Sequence, residues 1–140
     1  MITNQRQYLI AHSQAERFRK ALAAPDTTGL HPKAAKAMRA GLRSQLEDLE
    51  AEIAEYDALR EGKITKLEAE SIVGIGPALI KARIVRNLTQ KELAERLQVA
   101  EQQVQRYEST QYQGVAAERL QQVADALRLG VREVFTLEKS

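Results

Sequence analysis

The sequence predicts an all-α protein built in two parts. Of its 140 residues 44% are hydrophobic, but only 4% are aromatic and tryptophan is absent. A core must therefore be built from Leu, Ile, Val and Ala, as in small helical bundles. Apolar residues recur at three- and four-residue spacing, which is typical of amphipathic helices. Turn-forming residues at 25–29 and at Gly62 interrupt that spacing and separate the helices.

Residues 1–62 are expected to form an N-terminal helical hairpin with coiled-coil character. One amphipathic helix is predicted from about 5 to 24, and a longer one from about 33 to 60. The longer helix carries an apolar seam at alternating steps of four and three residues, which is the spacing of a coiled coil. We define the seam by these residues: Leu42, Leu46, Leu49, Ile53 and Tyr56.

The charges of the longer helix are segregated along its length. Bases come first and acids follow: Lys33, Lys36, Arg39 and Arg43, then Glu47, Asp48, Glu50, Glu52, Glu55 and Asp57. A helix dipole favours the opposite order, and a simple hairpin is expected to bring Arg17 and Arg19 beside Lys33. An antiparallel pair of two copies would instead set basic against acidic halves. We therefore expect the seam to be a homodimer interface, with packing inside the hairpin alone as the alternative.

A linker is expected over 63–76 and a domain of short helices over 77–136. Pro77 suits a first helical position, and Thr89 with Glu92 matches a capping box that begins a helix over 90–97. A tight corner at 98–100 then leads to a helix over 101–108. A polar loop, a fourth helix near 116–129 and a last short turn at 131–135 complete the domain.

The segment 88–108, LTQKELAERLQVAEQQVQRYE, closely resembles the helix-turn-helix of the xenobiotic-response-element family, the Cro/C1-type repressors. It contains the family's Thr-Gln-x-Glu-Leu-Ala opening, Val99 at the corner and the Tyr-Glu close. Ala94 supplies the small residue that two close helices need, and Leu93 and Val104 can fill the wedge between them. The resemblance implies a lambda-repressor-like five-helix domain that binds double-stranded DNA.

The resemblance also implies roles for individual residues. Gln can pair with adenine and Arg can fork onto guanine. Base contacts are expected from Glu101, Gln102, Gln103 and Arg106. Phosphate contacts are expected from Gln90, Lys91, Ser109, Gln111 and Tyr112. Arg83 and Glu108 match a structural salt bridge of the family, and Tyr107 is expected in the core.

Three further positions carry expectations of their own. Gln98 stands where the family often has Gly, so a left-handed conformation there is expected to be strained. Ala116 replaces the polar cap usual before the fourth helix. The segment 73–77, VGIGP, looks like a helix-hairpin-helix loop, but Ile80 and Arg83 stand where that motif wants a small and an aliphatic residue. A lead-in turn is therefore expected.

Composition argues against most other functions. Cysteine is absent and the only histidines are His12 and His31, so we expect no catalytic site, metal or cofactor. No apolar run reaches the ~20 residues needed to cross a bilayer, and a soluble cytoplasmic protein with no membrane partner is expected. The net charge of +2 is weak evidence for a polyanion partner.

The sequence as a whole predicts a sequence-specific DNA-binding regulator, acting as a homodimeric repressor on a palindromic operator. An alternative is a type II antitoxin that represses its own operon and neutralises a toxin protein through its N-terminal region. A protein-interaction scaffold that no longer binds DNA is a third class.

Overall fold

The computed structural model describes residues 1–24 and 26–139, so Pro25 of the predicted turn lies outside the described residues. Within them six helices and no strand are found, which confirms the all-α class. None of these helices is long and apolar enough to span a membrane. The chain divides into two compact units, Met1–Lys63 and a second that begins at Ile64.

The first unit is an antiparallel pair of helices, α1 (Gln5–Ala23) and α2 (Pro32–Arg60). Asn4 caps α1, since its side-chain oxygen accepts a bond of 2.8 Å from the Gln7 backbone N–H, which satisfies a donor left unpaired at the helix start. His31 caps α2 through its Nδ1, which accepts from the Lys33 N–H at 3.1 Å. Proline at the first position of α2 needs no such acceptor.

The seam of α2 packs partly on α1 of the same chain. Ala11 and Ala15 of α1 are buried, as are Ile53 and Tyr56 of α2, and the rings of Tyr8 and Tyr56 lie 5.1 Å apart. Because α1 already covers Ile53 and Tyr56, the prediction that they form a dimer interface is wrong: they belong to the core of the hairpin. The other three seam residues are half-buried: Leu42, Leu46 and Leu49.

The two helices are offset along their length. Tyr8 donates a hydrogen bond of 2.7 Å from its hydroxyl to Asp57, and Arg19 lies 3.4 Å from Glu50. The basic end of α1 therefore meets the acidic half of α2, and the expectation that it lies beside the basic start of α2 is wrong. The reason is that α1 is shorter by about a third, with 19 residues against 29, and lies beside the second half of α2.

The second unit holds four helices among the described residues: α3 (Ile75–Val85), α4 (Gln90–Leu97), α5 (Glu101–Ser109) and α6 (Ala117–Ala126). Its core is made of fully buried aliphatic side chains: Ile80, Leu93, Val104, Val123 and Leu127. The fold class is as predicted, but the last short turn expected at 131–135, the fifth element of the domain, is not helical. Val134 and Phe135 are each 75% exposed there.

The lead-in to α3 is a turn, as predicted. The backbone N–H of Gly74 bonds the carbonyl of Ser71 at 3.1 Å, and α3 begins at Ile75, two residues before Pro77. Proline is tolerated there because the first turn of a helix has no intrahelical acceptors for its N–H groups. Gly76 is buried against the carbonyl of Gln111, and a Cβ at this position would overlap that oxygen.

Two expected departures from the family pattern are confirmed. Gln98 ends α4 in the left-handed conformation, at φ 58° and ψ 43°, as expected from the missing glycine. Ala116 precedes α6 without any side-chain capping bond. Asn87 and Arg128 also adopt positive φ, of 55° and 56°, so the ends of α3 and α6 use the same backbone turn without glycine.

Candidate nucleic-acid interface

The start of α4 is fixed by a reciprocal cap. The Thr89 hydroxyl accepts from the Glu92 backbone N–H at 3.0 Å, and the Glu92 carboxylate accepts from the Thr89 backbone N–H at 3.1 Å. These bonds hold the pKa of the Glu92 carboxyl below its ordinary value, first through the backbone bond to Thr89. The predicted capping box is thus present, and it sets where the helix-turn-helix begins.

The turn between α4 and α5 is closed by backbone bonds and a small wedge. The N–H of Val99 donates to the carbonyl of Ala94 at 3.0 Å, which turns the chain sharply after Gln98. Ala94 is 2% exposed, and Leu93 and Val104 are fully buried. Because these aliphatic residues fill the angle between the helices, α5 is held with its polar side outward.

The outward side of α5 is made of the side chains predicted to contact bases. Glu101, Gln102 and Arg106 are exposed, and Gln103 is half-buried. Val104 and Glu108 face the interior. The structure therefore places the four predicted base-contacting residues on one helix, and their contact with bases stays a prediction.

Behind α5 lies a buried ion pair that ties it to α3. Arg83 donates to Glu108 twice, from Nε at 2.6 Å and from Nη2 at 2.8 Å, and the two side chains are 4% and 1% exposed. The remaining Arg83 nitrogen donates to the carbonyl of Leu88 at 2.8 Å. This geometry is bidentate, so it fixes the direction as well as the distance between the two helices.

Gln90 extends the same cluster to α4. Its side-chain nitrogen donates to Glu108 at 3.0 Å, and the residue is only 7% exposed. Phosphate contact by Gln90 stays a prediction, and its test must account for the bond to Glu108. We refer to Arg83 and Glu108 as the buried ion pair. Together with Gln90, this pair links three helices of the unit.

Tyr112 does not lie where a phosphate can reach it. It is 4% exposed, its ring stacks on Tyr107 at 5.4 Å, and its hydroxyl has no hydrogen-bond partner in the part of the chain that the structure describes. Burial, with the nearby Glu108 carboxylate, raises the pKa of the Tyr112 phenol. The prediction of phosphate contact by Tyr112 is therefore wrong, because the left-handed turn at Gln111 and Tyr112 directs the side chain inward.

The other predicted phosphate-contacting residues are exposed. Lys91 lies in the first turn of α4, Ser109 at the end of α5, and Gln111 in the following turn. The Ser109 hydroxyl donates to the carbonyl of Arg106 at 2.9 Å. They precede and follow the exposed residues of α5 along the chain, and phosphate contact by them stays a prediction.

Two arginines serve a role that the sequence did not reveal. Arg86 donates to the carbonyls of Leu127 and Arg128, at 3.1 and 3.0 Å, and Arg96 donates to the carbonyl of Ala126 at 2.8 Å. They satisfy carbonyls left unpaired at the end of α6. No signal in the sequence identifies such bonds, because the acceptors are backbone atoms at least 30 positions away.

A tight helix-turn-helix whose second helix exposes a polar face defines a class of protein, the DNA-binding domains that insert a recognition helix into the major groove. The family model described as Helix-turn-helix matches residues 79–134. This match supports a DNA-binding transcriptional regulator with a Cro/C1-type helix-turn-helix over these residues. No curated protein and no solved structure matches the chain.

Proposed function

We propose that the protein is a repressor that binds a palindromic operator as a homodimer and reads it with α5. The observation that supports this most is the outward polar face of α5, with Gln102 and Arg106 exposed while Val104 lies fully buried beneath them. A two-fold symmetric dimer requires half-sites about 34 Å apart, or a multiple of that distance.

Each side chain on this face has a chemically suited base edge. Gln102 and Gln103 can each offer a donor and an acceptor to adenine, and Arg106 can donate twice to guanine. Glu101 can accept from the amino group of cytosine. Lys91, Ser109 and Gln111 would contact phosphates and set the register of α5 without selecting sequence.

The experiment begins with selection of bound duplexes from a random pool. Arg106→Ala and Gln102→Ala are then compared with Gln122→Ala, which removes an equally exposed glutamine from α6. Loss of one base contact is expected to cost about 1–3 kcal/mol on the preferred site and to relax selectivity at one base pair. The control is expected to leave both affinity and selectivity unchanged.

Phosphate contacts are tested separately from base contacts. Lys91→Ala should weaken binding to all duplexes alike and reduce the slope of log affinity against log salt by about 1. Unchanged base selectivity in Arg106→Ala and Gln102→Ala would contradict the assignment of α5. Absence of any salt-dependent affinity for duplex DNA would favour the scaffold class instead.

A second candidate function is that of an antitoxin, and a feature of the hairpin favours it. Leu9 and Ile10 of α1 are 57% and 47% exposed, beside a shallow groove to which Phe18 and Leu49 contribute. Exposed apolar surface of this kind can seat a protein partner. Co-purification of a toxin with the tagged protein expressed from its own operon would support this candidate.

A further inference from the structure

We propose that two copies of the chain pair through α2, antiparallel about a two-fold axis near Gln45 and Leu46. In this arrangement α1 of each copy lies level with one half of the partner's α2, the half that the partner's own α1 does not cover. The inference rests on the homodimer of the proposed function and specifies its interface. It differs from the seam interface predicted from the sequence, because Ile53 and Tyr56 are excluded from it.

The offset between the helices leaves half of α2 uncovered. The ion pair between Arg19 and Glu50, and the groove that Phe18 of α1 and Leu49 of α2 both line, fix the level of α1. Its last residue, Ala23, then reaches about residue 44 of α2, since each helical residue rises about 1.5 Å. About 18 Å of α2, from Pro32 onward, therefore has no helix of its own chain beside it.

The apolar stripe of α2 continues through this uncovered half. Ala35, Met38 and Leu42 follow the spacing of the seam and are only half-buried, like Leu46. A small unit with a single pair of helices buries little apolar surface on its own. A second copy provides the missing apolar surface. In the antiparallel pair the half of its α2 that carries its α1 lies beside the uncovered half of the first copy's α2, so that its α1 lies at the same level.

The charges of α2 are complementary to a second copy in this register. Lys33, Lys36, Arg39 and Arg43 are exposed and have no ion pair within 4 Å in the part of the chain that the structure describes. An antiparallel copy centred near residue 45 places Arg43 opposite the partner's Glu47, and Arg39 opposite the partner's residue 51, between Glu50 and Glu52. The arrangement repeats on the other side of the axis, as an isologous interface requires.

The first test uses the fact that the chain contains no cysteine. Residue 46 lies near the proposed axis. Residue 44 lies at nearly the same height along α2 but faces the opposite side of the helix, so Ser44→Cys is the control for Leu46→Cys. Under mild oxidation Leu46→Cys is expected to form a disulfide-linked dimer of twice the 15.7 kDa mass, and Ser44→Cys is expected to stay monomeric on a non-reducing gel. Equal cross-linking of both variants, or of neither, would overturn the inference.

The second test uses exposed residues, whose replacement leaves the buried core of the hairpin unchanged. Arg43→Glu sets a like charge opposite the partner's Glu47 at both symmetry-related positions, and Glu47→Lys does the converse. Each is expected to raise the dimer dissociation constant about tenfold in sedimentation equilibrium of the full chain, since exposed pairs contribute about 0.2–1 kcal/mol each. The double variant is expected to return within about threefold of the wild type.

The outcomes separate this inference from the function on which it rests. If neither charge reversal changes the dimer dissociation constant, the proposed α2 interface is overturned, while the proposal of a homodimeric regulator stands. A wild-type chain that sediments as a monomer at about 100 μM would overturn both. Restored dimerisation in the double variant would support the register, because residues 43 and 47 then face each other again with opposite charge.

Discussion

Removing one partner of the buried ion pair should strongly destabilise the helix-turn-helix unit. Arg83→Met keeps a long apolar stem but leaves the Glu108 carboxylate, which is 1% exposed, without two of its donors. An uncompensated buried charge of this kind costs about 3–5 kcal/mol. A unit of this size is stable by roughly 5–15 kcal/mol, so the free energy of unfolding should fall by at least about a fifth.

The measurement is urea unfolding followed by circular dichroism, with hydrogen exchange of the Val104 amide to report on this unit alone. A loss of 3–5 kcal/mol corresponds to a fall in melting temperature of at least about 12 °C. Arg132→Met is the matched control, because Arg132 is exposed and its replacement should change stability by less than about 0.5 kcal/mol.

A double variant tests the cause of the loss. Arg83→Met combined with Glu108→Leu removes both charges and should recover at least about 2 kcal/mol relative to the sum of the single variants. Gln90 and the Leu88 carbonyl lose partners in it, so recovery should be incomplete. A cost below 1 kcal/mol for Arg83→Met alone, or strict additivity in the double variant, would refute the reasoning.

Three further predictions concern the local backbone of the same unit. Gln98→Gly should raise the free energy of unfolding by about 0.5–1 kcal/mol, seen as a higher urea midpoint with unchanged slope; a lower midpoint would contradict it. Gly76→Ala should lower the melting temperature, because its Cβ overlaps the Gln111 carbonyl, and an unchanged melting curve would be evidence against that contact. Thr89→Ala should cost about 1 kcal/mol and return the lowered pKa of Glu92 only part of the way to its ordinary value in an NMR titration, because the backbone N–H of residue 89 still donates to the carboxylate. Because that pKa is lowered by folding, its stabilisation is present above the ordinary pKa and lost as pH falls through the folded value. The difference between wild type and Thr89→Ala should nevertheless persist in acid, because the bond from the Glu92 backbone N–H to the Thr89 hydroxyl does not titrate.

Features set by neighbours in the chain could be predicted from the sequence. The capping box of Thr89 and Glu92, the left-handed turn at Gln98 and the buried wedge at Ala94 all depend on residues within a few positions of each other. Backbone propensity and hydrogen-bond spacing decide such features. For the same reason the exposed face of α5 followed from helical periodicity once Val104 was assigned to the core.

Features that depend on distant packing were not predicted. The offset between α1 and α2 depends on which apolar residues of the two helices interlock, and helical spacing alone permits several registers one turn apart. Tyr112 resembles a polar loop residue in the sequence, but the chain reverses there and buries its ring against Tyr107. Gly76 could not be linked to Gln111, because only the folded unit brings a loop 35 positions away onto its Cα.

Several arginines form hydrogen bonds within the protein, and these bonds affect how strongly it binds a polyanion. Arg83 is buried in its ion pair with Glu108 and neutralises no phosphate, and Arg86 and Arg96 direct part of their donors to carbonyls of the protein itself. Each cation that neutralises a phosphate displaces about 0.9 condensed counterions from B-form DNA. The affinity for duplex DNA should therefore decline more gently with ionic strength than a count of basic residues suggests, and hydrogen bonds from neutral amides should carry more of that affinity.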